Sequence, residues 1–216
     1  MRSLMGNISL VSGLTIASRF LGLLRDILFF TCFGVSQIGD AFILAFTIPN
    51  LFRRMLGEGT LSSAFIPVYS ETIKKGLIRK GHQILNQVLS RLMAFLFFLT
   101  ILICGFSWVA SDYGLVDSPK WINGLYLNSV VFPYVFLICI SAIMIGALNA
   151  HGKFFAGAFS PVILNLSMIG ILTFFYFIIS WREFDLAMAL CFGVLVGGFF
   201  QMIWPWFQLK KSCSWN

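Results

Sequence analysis

The chain has 216 residues, of which 59% are hydrophobic and only 11% charged, and its formal net charge is +7. Ordinary soluble domains are about 45–50% apolar and about 25% charged, so this composition, with a mean hydropathy of +0.91, excludes a soluble domain and predicts a polytopic, all-α membrane bundle. The basic residues lie mostly between apolar runs, where they orient a membrane protein rather than bind nucleic acid.

The first predicted span, about 8–30, contains the stretch SRFLGLLRDILFF, with Arg19, Arg25 and Asp26 inside an apolar run. Arg19 interrupts the run and no small-residue cleavage pattern precedes it, so the segment is expected to be retained rather than removed as a signal peptide. At 100° per residue, Ser12, Thr15, Arg19, Gly22 and Asp26 fall on one stripe, with Leu10, Leu14, Leu21, Leu24 and Leu28 opposite. The helix is therefore expected to turn leucines to lipid and its polar stripe to protein or water, with Ser18 and Arg25 on the flank of that stripe. A charged side chain near the bilayer centre costs at least about 2.5–3.5 kcal/mol, so such residues normally face a bundle interior. Arg25 and Asp26 have two readings, a mutual ion pair or direct contact with a ligand.

The second predicted span, about 36–57, reads DAFILAFTIPNLFRRMLGEG from Asp40. Pro49 deprives the Ala45 carbonyl of its helical partner, and Gly57 and Gly59 flank Glu58, so the helix is expected to bend and then break. In a straight helix Asp40, Thr47, Arg54 and Glu58 share a face and Arg53 points elsewhere; a kink at Pro49 could turn Arg53 inward. The competing reading leaves Arg53, Arg54 and Glu58 at the membrane surface, with Arg54 and Glu58 paired at i, i+4.

A basic loop, TIKKGLIRKGHQ at 72–83, follows, suited to orientation or to anionic headgroups. Four more spans are predicted at about 90–111, 125–150, 157–180 and 186–208, each inside a run free of Asp, Glu, Lys and Arg long enough to cross a bilayer. Six spans with both termini in the cytoplasm put Arg2, Lys74, Lys75, Arg79, Lys80, Lys153, Lys210 and Lys211 inside and only Lys120 and Arg182 outside. Trp108, Trp121, Trp181, Trp204 and Trp206 then lie near span ends. Asn123, Asn128, Asn149 and Asn165 suit either a pathway or interhelical hydrogen bonds, and Pro133 and Pro161 suit kinks. The five cysteines are scattered, without metal-ligand spacing. No metal or cofactor is predicted, and His82 and His151 fall in predicted cytoplasmic turns.

Two or three arginines converging from two helices suit a diphosphate better than a cation, because guanidinium forks match phosphate oxygens bidentately. At SRFLGLLRD (18–26), GDAFILAFTIPNLFRRMLGEGTLSSAFIPVYSE (39–71), FPY (132–134) and FSPVILNLSMIG (159–170) the chain resembles the MurJ/MviN family of lipid II flippases. The resemblance implies an inner-membrane transporter of the MOP superfamily. Such a transporter moves the undecaprenyl-diphosphate-linked peptidoglycan precursor outward by alternating access, without enzymatic chemistry. It implies substrate-binding roles for Arg19, Arg25, Asp26 and Arg53, with Asp40, Arg54 and Glu58 as gating or structural charges. Only the N-terminal of the family's two lobes is covered, so membrane lipids and a separate C-terminal lobe are the expected partners. A truncated, non-transporting remnant or a membrane scaffold is the competing expectation.

Overall fold

The computed structural model describes residues 2–55, 60–113, 116–179 and 182–213, and the chain is helical through almost all of them. In chain order the helices are α1 (Arg2–Phe33), α2 (Gln37–Phe52), α3 (Thr60–Lys74), α4 (Ile78–Asp112), α5 (Pro119–Val131), α6 (Tyr134–Ala150), α7 (Phe155–Leu172) and α8 (Glu183–Cys213). A π-helical segment, Thr173–Ile179, continues α7. Glycines in the left-handed region make the tight turns between α1 and α2 (Gly34, φ 56°), α3 and α4 (Gly76, φ 75°) and α6 and α7 (Gly152, φ 73°). A side chain is strained there, which is why glycine punctuates these turns.

Three helical stretches are long and apolar enough to cross a membrane: α4, α7 with its π-helical continuation, and α8 through Lys211. A fourth is the pair α5 and α6, bent by 45° at Phe132 and Pro133. Pro133 has no N–H, so the helix cannot run through it undisturbed, and the predicted kink is a break between two helices. α1 and α2 carry the charges foreseen for them.

The predicted basic loop at 72–83 is not a loop. Its first residues end α3 and its last ones open α4, with only residues 75–77 between them. At 1.5 Å per residue the 35-residue α4 is about 52 Å long, whereas the hydrocarbon core is about 30 Å thick. One end must stand outside, and Arg79, Lys80 and Arg91 mark the N-terminal end as that one. At the near end of α6, Tyr69 Oη and His151 Nε2 lie 3.1 Å apart, tying α3 to the α6–α7 turn. Burial, with the charges of His82 and Lys153, holds the His151 pKa below its usual value.

α6 is the central helix, with eleven of its seventeen residues buried. α2 packs along α5, α1 along α7, and α8 against both α6 and α7. Close approach depends on small residues, as in membrane bundles generally. A Cβ on Gly193 would meet Ile171 at 2.8 Å and one on Gly197 would meet Leu164 at 3.1 Å, both on α7; one on Gly198 would meet the Tyr134 ring of α6 at 2.6 Å. Cys32, Cys139 and Cys191 are buried within helices, where a thiol serves as a small apolar group.

Tyr134 is 1% exposed and its ring is held by a hydrogen bond from its hydroxyl to Gln201. Gly198→Ala is therefore expected to destabilise the fold by about 1–3 kcal/mol through overpacking. Gly105→Ala, whose Cβ would meet nothing within 4 Å, should cost nothing. Denaturant unfolding of the two variants in detergent micelles checks the contrast.

Candidate functional site

A polar cavity of about 560 Å³ lies among α1, α2, α6, α7 and α8. Its basic wall consists of Arg25 from α1 and of Arg53 and Arg54, which follow α2. Opposite them stand Ser160, Pro161 and Asn165 of α7, Tyr134 of α6 and Gln201 of α8. Three guanidinium groups line this cavity, one of them paired with Asp26, and such a set of forked donors suits an anion.

Arg25 is held from two sides. Its Nε–H and an Nη2–H donate to Asp26 Oδ1 at 3.0 and 2.7 Å, and an Nη1–H donates to Asn165 Oδ1 at 3.0 Å. Three of five donors are thereby engaged, which fixes the plane of the guanidinium and leaves two N–H groups for a ligand. Asn165 is itself anchored, because its Nδ2–H donates to the Ser18 carbonyl of α1 at 3.0 Å. A single buried asparagine thus clamps both the backbone and the charge of α1. Gly22 packs beside this asparagine, where a Cβ would make an ordinary contact at 3.6 Å from Asn165 Nδ2.

The two neighbouring arginines reach the cavity together. Pro49 lies inside α2, and the chain widens into a π-helical turn at 53–55. The Arg53 N–H donates to the carbonyls of both Asn50 and Pro49. Arg53 lines the wall together with Arg54 and Thr47, whereas a straight-helix projection separates Arg53 from them.

Beneath the arginines the floor is a closed polar network. Gln201 is 2% exposed; its Nε2 donates to the Ser160 carbonyl and hydroxyl at 2.7 and 3.0 Å, and its Oε1 accepts from Tyr134 Oη at 3.3 Å. The Gln201 carbonyl accepts from Ser141 Oγ at 2.6 Å. Buried polar groups satisfied in this way rigidify their surroundings.

The remaining predicted residues stand apart from this cavity. Arg19 is exposed and does not line it. Ser12 and Thr15 are exposed with it, while Leu14, Leu21 and Leu28 are half-buried along with Ser18, Gly22 and Arg25. The expected division of α1 is thus rotated: its packed seam against α7 includes leucines, and Ser12, Thr15 and Arg19 are exposed, while Gly22 of the same stripe is half-buried. Asp26 lines a neighbouring slot. Asp40, at the other end of α2, accepts a salt bridge from Lys120 Nζ of α5 at 2.8 Å. Glu58, and with it the expected Arg54 to Glu58 pair, lies outside the described residues.

Tyr134, Ser160 and Gln201 were not foreseen as site residues, and Asn165 was foreseen only as one of four ambiguous asparagines. For Gln201 a signal existed, since an isolated glutamine inside an apolar span demands a partner.

The family model for "Lipid II flippase MurJ" matches residues 29–213. A probable lipid II flippase MurJ of Buchnera aphidicola (subspecies Baizongia pistaciae) is 36% identical over 93% of this chain and 39% of its own length. A lipid II flippase MurJ of Burkholderia cenocepacia is likewise 36% identical, over 93% of this chain and 39% of its own length. The solved structure of a lipid II flippase MurJ in an inward closed conformation superposes with a TM-score of 0.71 at 30% identity, covering 92% of this chain and 42% of that one. The chain therefore spans about two fifths of the length of these proteins.

Asn165→Ala removes the acceptor for Arg25 and the donor to Ser18 at once. Hydrogen bonds to charged groups contribute roughly 1.5–3 kcal/mol, so the variant is expected to unfold at a clearly lower denaturant concentration in detergent. An unchanged midpoint would contradict the clamp.

Proposed function

This chain belongs to the MurJ family of lipid II flippases, and on that premise we propose that its arginine cavity holds the diphosphate of lipid II during passage across the bacterial plasma (inner) membrane. The observation that carries this reading is the meeting of Arg25, Arg53 and Arg54 around one cavity. Arg25 and Arg53 grip the diphosphate as planar forks, with Arg54 adding charge at the rim. Asp26 aims Arg25, and Asp40 with Lys120 latches α2 to α5 at the far end. Arg19, turned away from this bundle, faces the space where a second bundle would stand.

In this account the six passes are α1, α2 with α3, α4, α5 with α6, α7 with its π-helical continuation, and α8. Both ends lie in the cytoplasm, consistent with the lysine and arginine bias. The 216 residues act as one lobe, and a second set of helices completes the cavity. Rocking of one lobe against the other then turns the bound headgroup from the cytoplasmic to the outer side, as in repeat-built transporters. No bond is made or broken: the arginines supply differential affinity between the two orientations, which is all that a population shift requires.

Arg25→Gln and Arg53→Gln are each expected to weaken lipid II binding by about tenfold or more, the loss of one charge-assisted contact. Lys75→Gln, at an exposed salt bridge with Glu71 outside the cavity, should leave it unchanged. Titration of the detergent-solubilised chain with lipid II checks this; equal affinities across the three variants would sink the assignment. Rescue of a flippase-depleted cell by this chain together with a complementing C-terminal lobe tests transport itself.

A further inference from the structure

The network beneath the arginines has a direction, and it leaves one hydrogen over. Tyr134 Oη donates to Gln201 Oε1 at 3.3 Å, so the oxygen of the Gln201 amide faces the tyrosine. The other side of the amide, Nε2, meets the Ser160 carbonyl at 2.7 Å and the Ser160 hydroxyl at 3.0 Å. A carbonyl can only accept, which fixes Nε2 as the donor. Ser160 Oγ is thus an acceptor from Gln201, and its own O–H points elsewhere.

A hydroxyl on a helix commonly donates to a carbonyl three or four residues back. Thr15, Thr31, Thr47 and Thr72 donate in this way to Val11, Ile27, Ile43 and Val68, and Ser129 to Tyr126. Ser160 makes no such bond among the described residues. It makes none although Pro161, inside α7, has no N–H and leaves the Gly157 carbonyl without its regular helical donor. Ser160 is 7% exposed and lines the arginine cavity. It also lines an adjoining cavity of about 230 Å³, and Arg53, Ile138 and Pro161 border both with it. Arg53 and Ser160 therefore flank the junction of the two spaces.

An uncommitted O–H at the edge of a cationic cavity suits an anionic oxygen, and it differs in kind from a guanidinium. The arginines bring charge and a planar fork. The hydroxyl brings one short, neutral donor whose direction is set from behind. Hydrogen bonds in a chain polarise one another, so a hydroxyl fed by Tyr134 and Gln201 donates more strongly than a lone serine.

We propose that Ser160 donates its hydroxyl hydrogen to an oxygen of the diphosphate held by Arg25 and Arg53, and that Gln201 is the positioning residue that aims it. The proposal rests on the diphosphate reading above and adds to it a neutral donor from α7. Gln201, 2% exposed, acts through Ser160.

The test measures inorganic pyrophosphate affinity and the unfolding midpoint of the detergent-solubilised chain. Ser160→Ala is expected to bind pyrophosphate about tenfold more weakly, the loss of one hydrogen bond to a charged group. Its midpoint should change little, because Gln201 Nε2 keeps its bond to the backbone carbonyl at this position. Ser160→Thr, which keeps the hydroxyl, should stay within about threefold of wild type. Gln201→Met should weaken binding when Ser160 is present and add nothing in Ser160→Ala, the coupling expected of a residue that acts through another. Tyr134→Phe, which withdraws the donor behind Gln201, takes the place of Gln201→Met in this cycle if the latter does not fold. Wild-type affinity in Ser160→Ala, equal losses in Ser160→Ala and Ser160→Thr, or additive losses in the double variant would overturn the proposal. Failure of wild type to bind pyrophosphate at all would instead contradict the arginine site itself.

Discussion

A half-buried guanidinium in an apolar bundle must find partners, and the way Arg25 finds them organises this face of the molecule. Asp26 supplies a counter-charge from the same helix, and Asn165 supplies a fixed acceptor from α7. Because Asn165 also binds the Ser18 carbonyl, satisfying the charge and seating α1 are one event. The penalty on a buried charge therefore becomes a source of order. The guanidinium that results is oriented, partly committed and still able to give two hydrogen bonds.

The rest of the site depends on helices that are interrupted in the right places. At the π-helical turn of 53–55 two consecutive arginines share one wall, although successive residues of a regular helix point about 100° apart. The break at Pro133 releases Tyr134 to begin α6 beneath them. Gly197 and Gly198 then let α8 press between α7 and α6, delivering Gln201 to the floor. Irregular backbone in a membrane is tolerated where it lines a cavity, as the turn that carries Arg53 and Arg54 does here.

Much of the span pattern was legible because apolar length is a local property. Charge-free runs located α4 through α8, whereas the break expected around Gly57 and Gly59 falls outside the described residues. Facing was harder, because it depends on partners that sequence does not reveal. The Arg19 stripe of α1 looked like its protein face, but α7 offers Asn165 to the neighbouring side, and Arg25 follows it. A straight-helix projection puts Arg54 on the face of Thr47 and Arg53 elsewhere, whereas both arginines line the cavity with Thr47. The basic stretch at 72–83 resembles a loop by charge, yet it belongs to two helices whose ends stand outside the apolar layer. Gln201 acquires meaning only when Ser160 and Tyr134, 41 and 67 residues away, are brought beside it.

The central claim is that a fork-shaped cation, and not positive charge alone, selects a diphosphate. Lysine keeps the charge of arginine but presents a point donor instead of a planar pair. Native mass spectrometry of the detergent-solubilised chain with equimolar prenyl diphosphate and prenyl monophosphate measures that selectivity directly. Wild type is expected to retain the diphosphate preferentially, and Arg25→Lys to lose most of the preference although its net charge is the same. A preference that persists unchanged in Arg25→Lys would contradict the account.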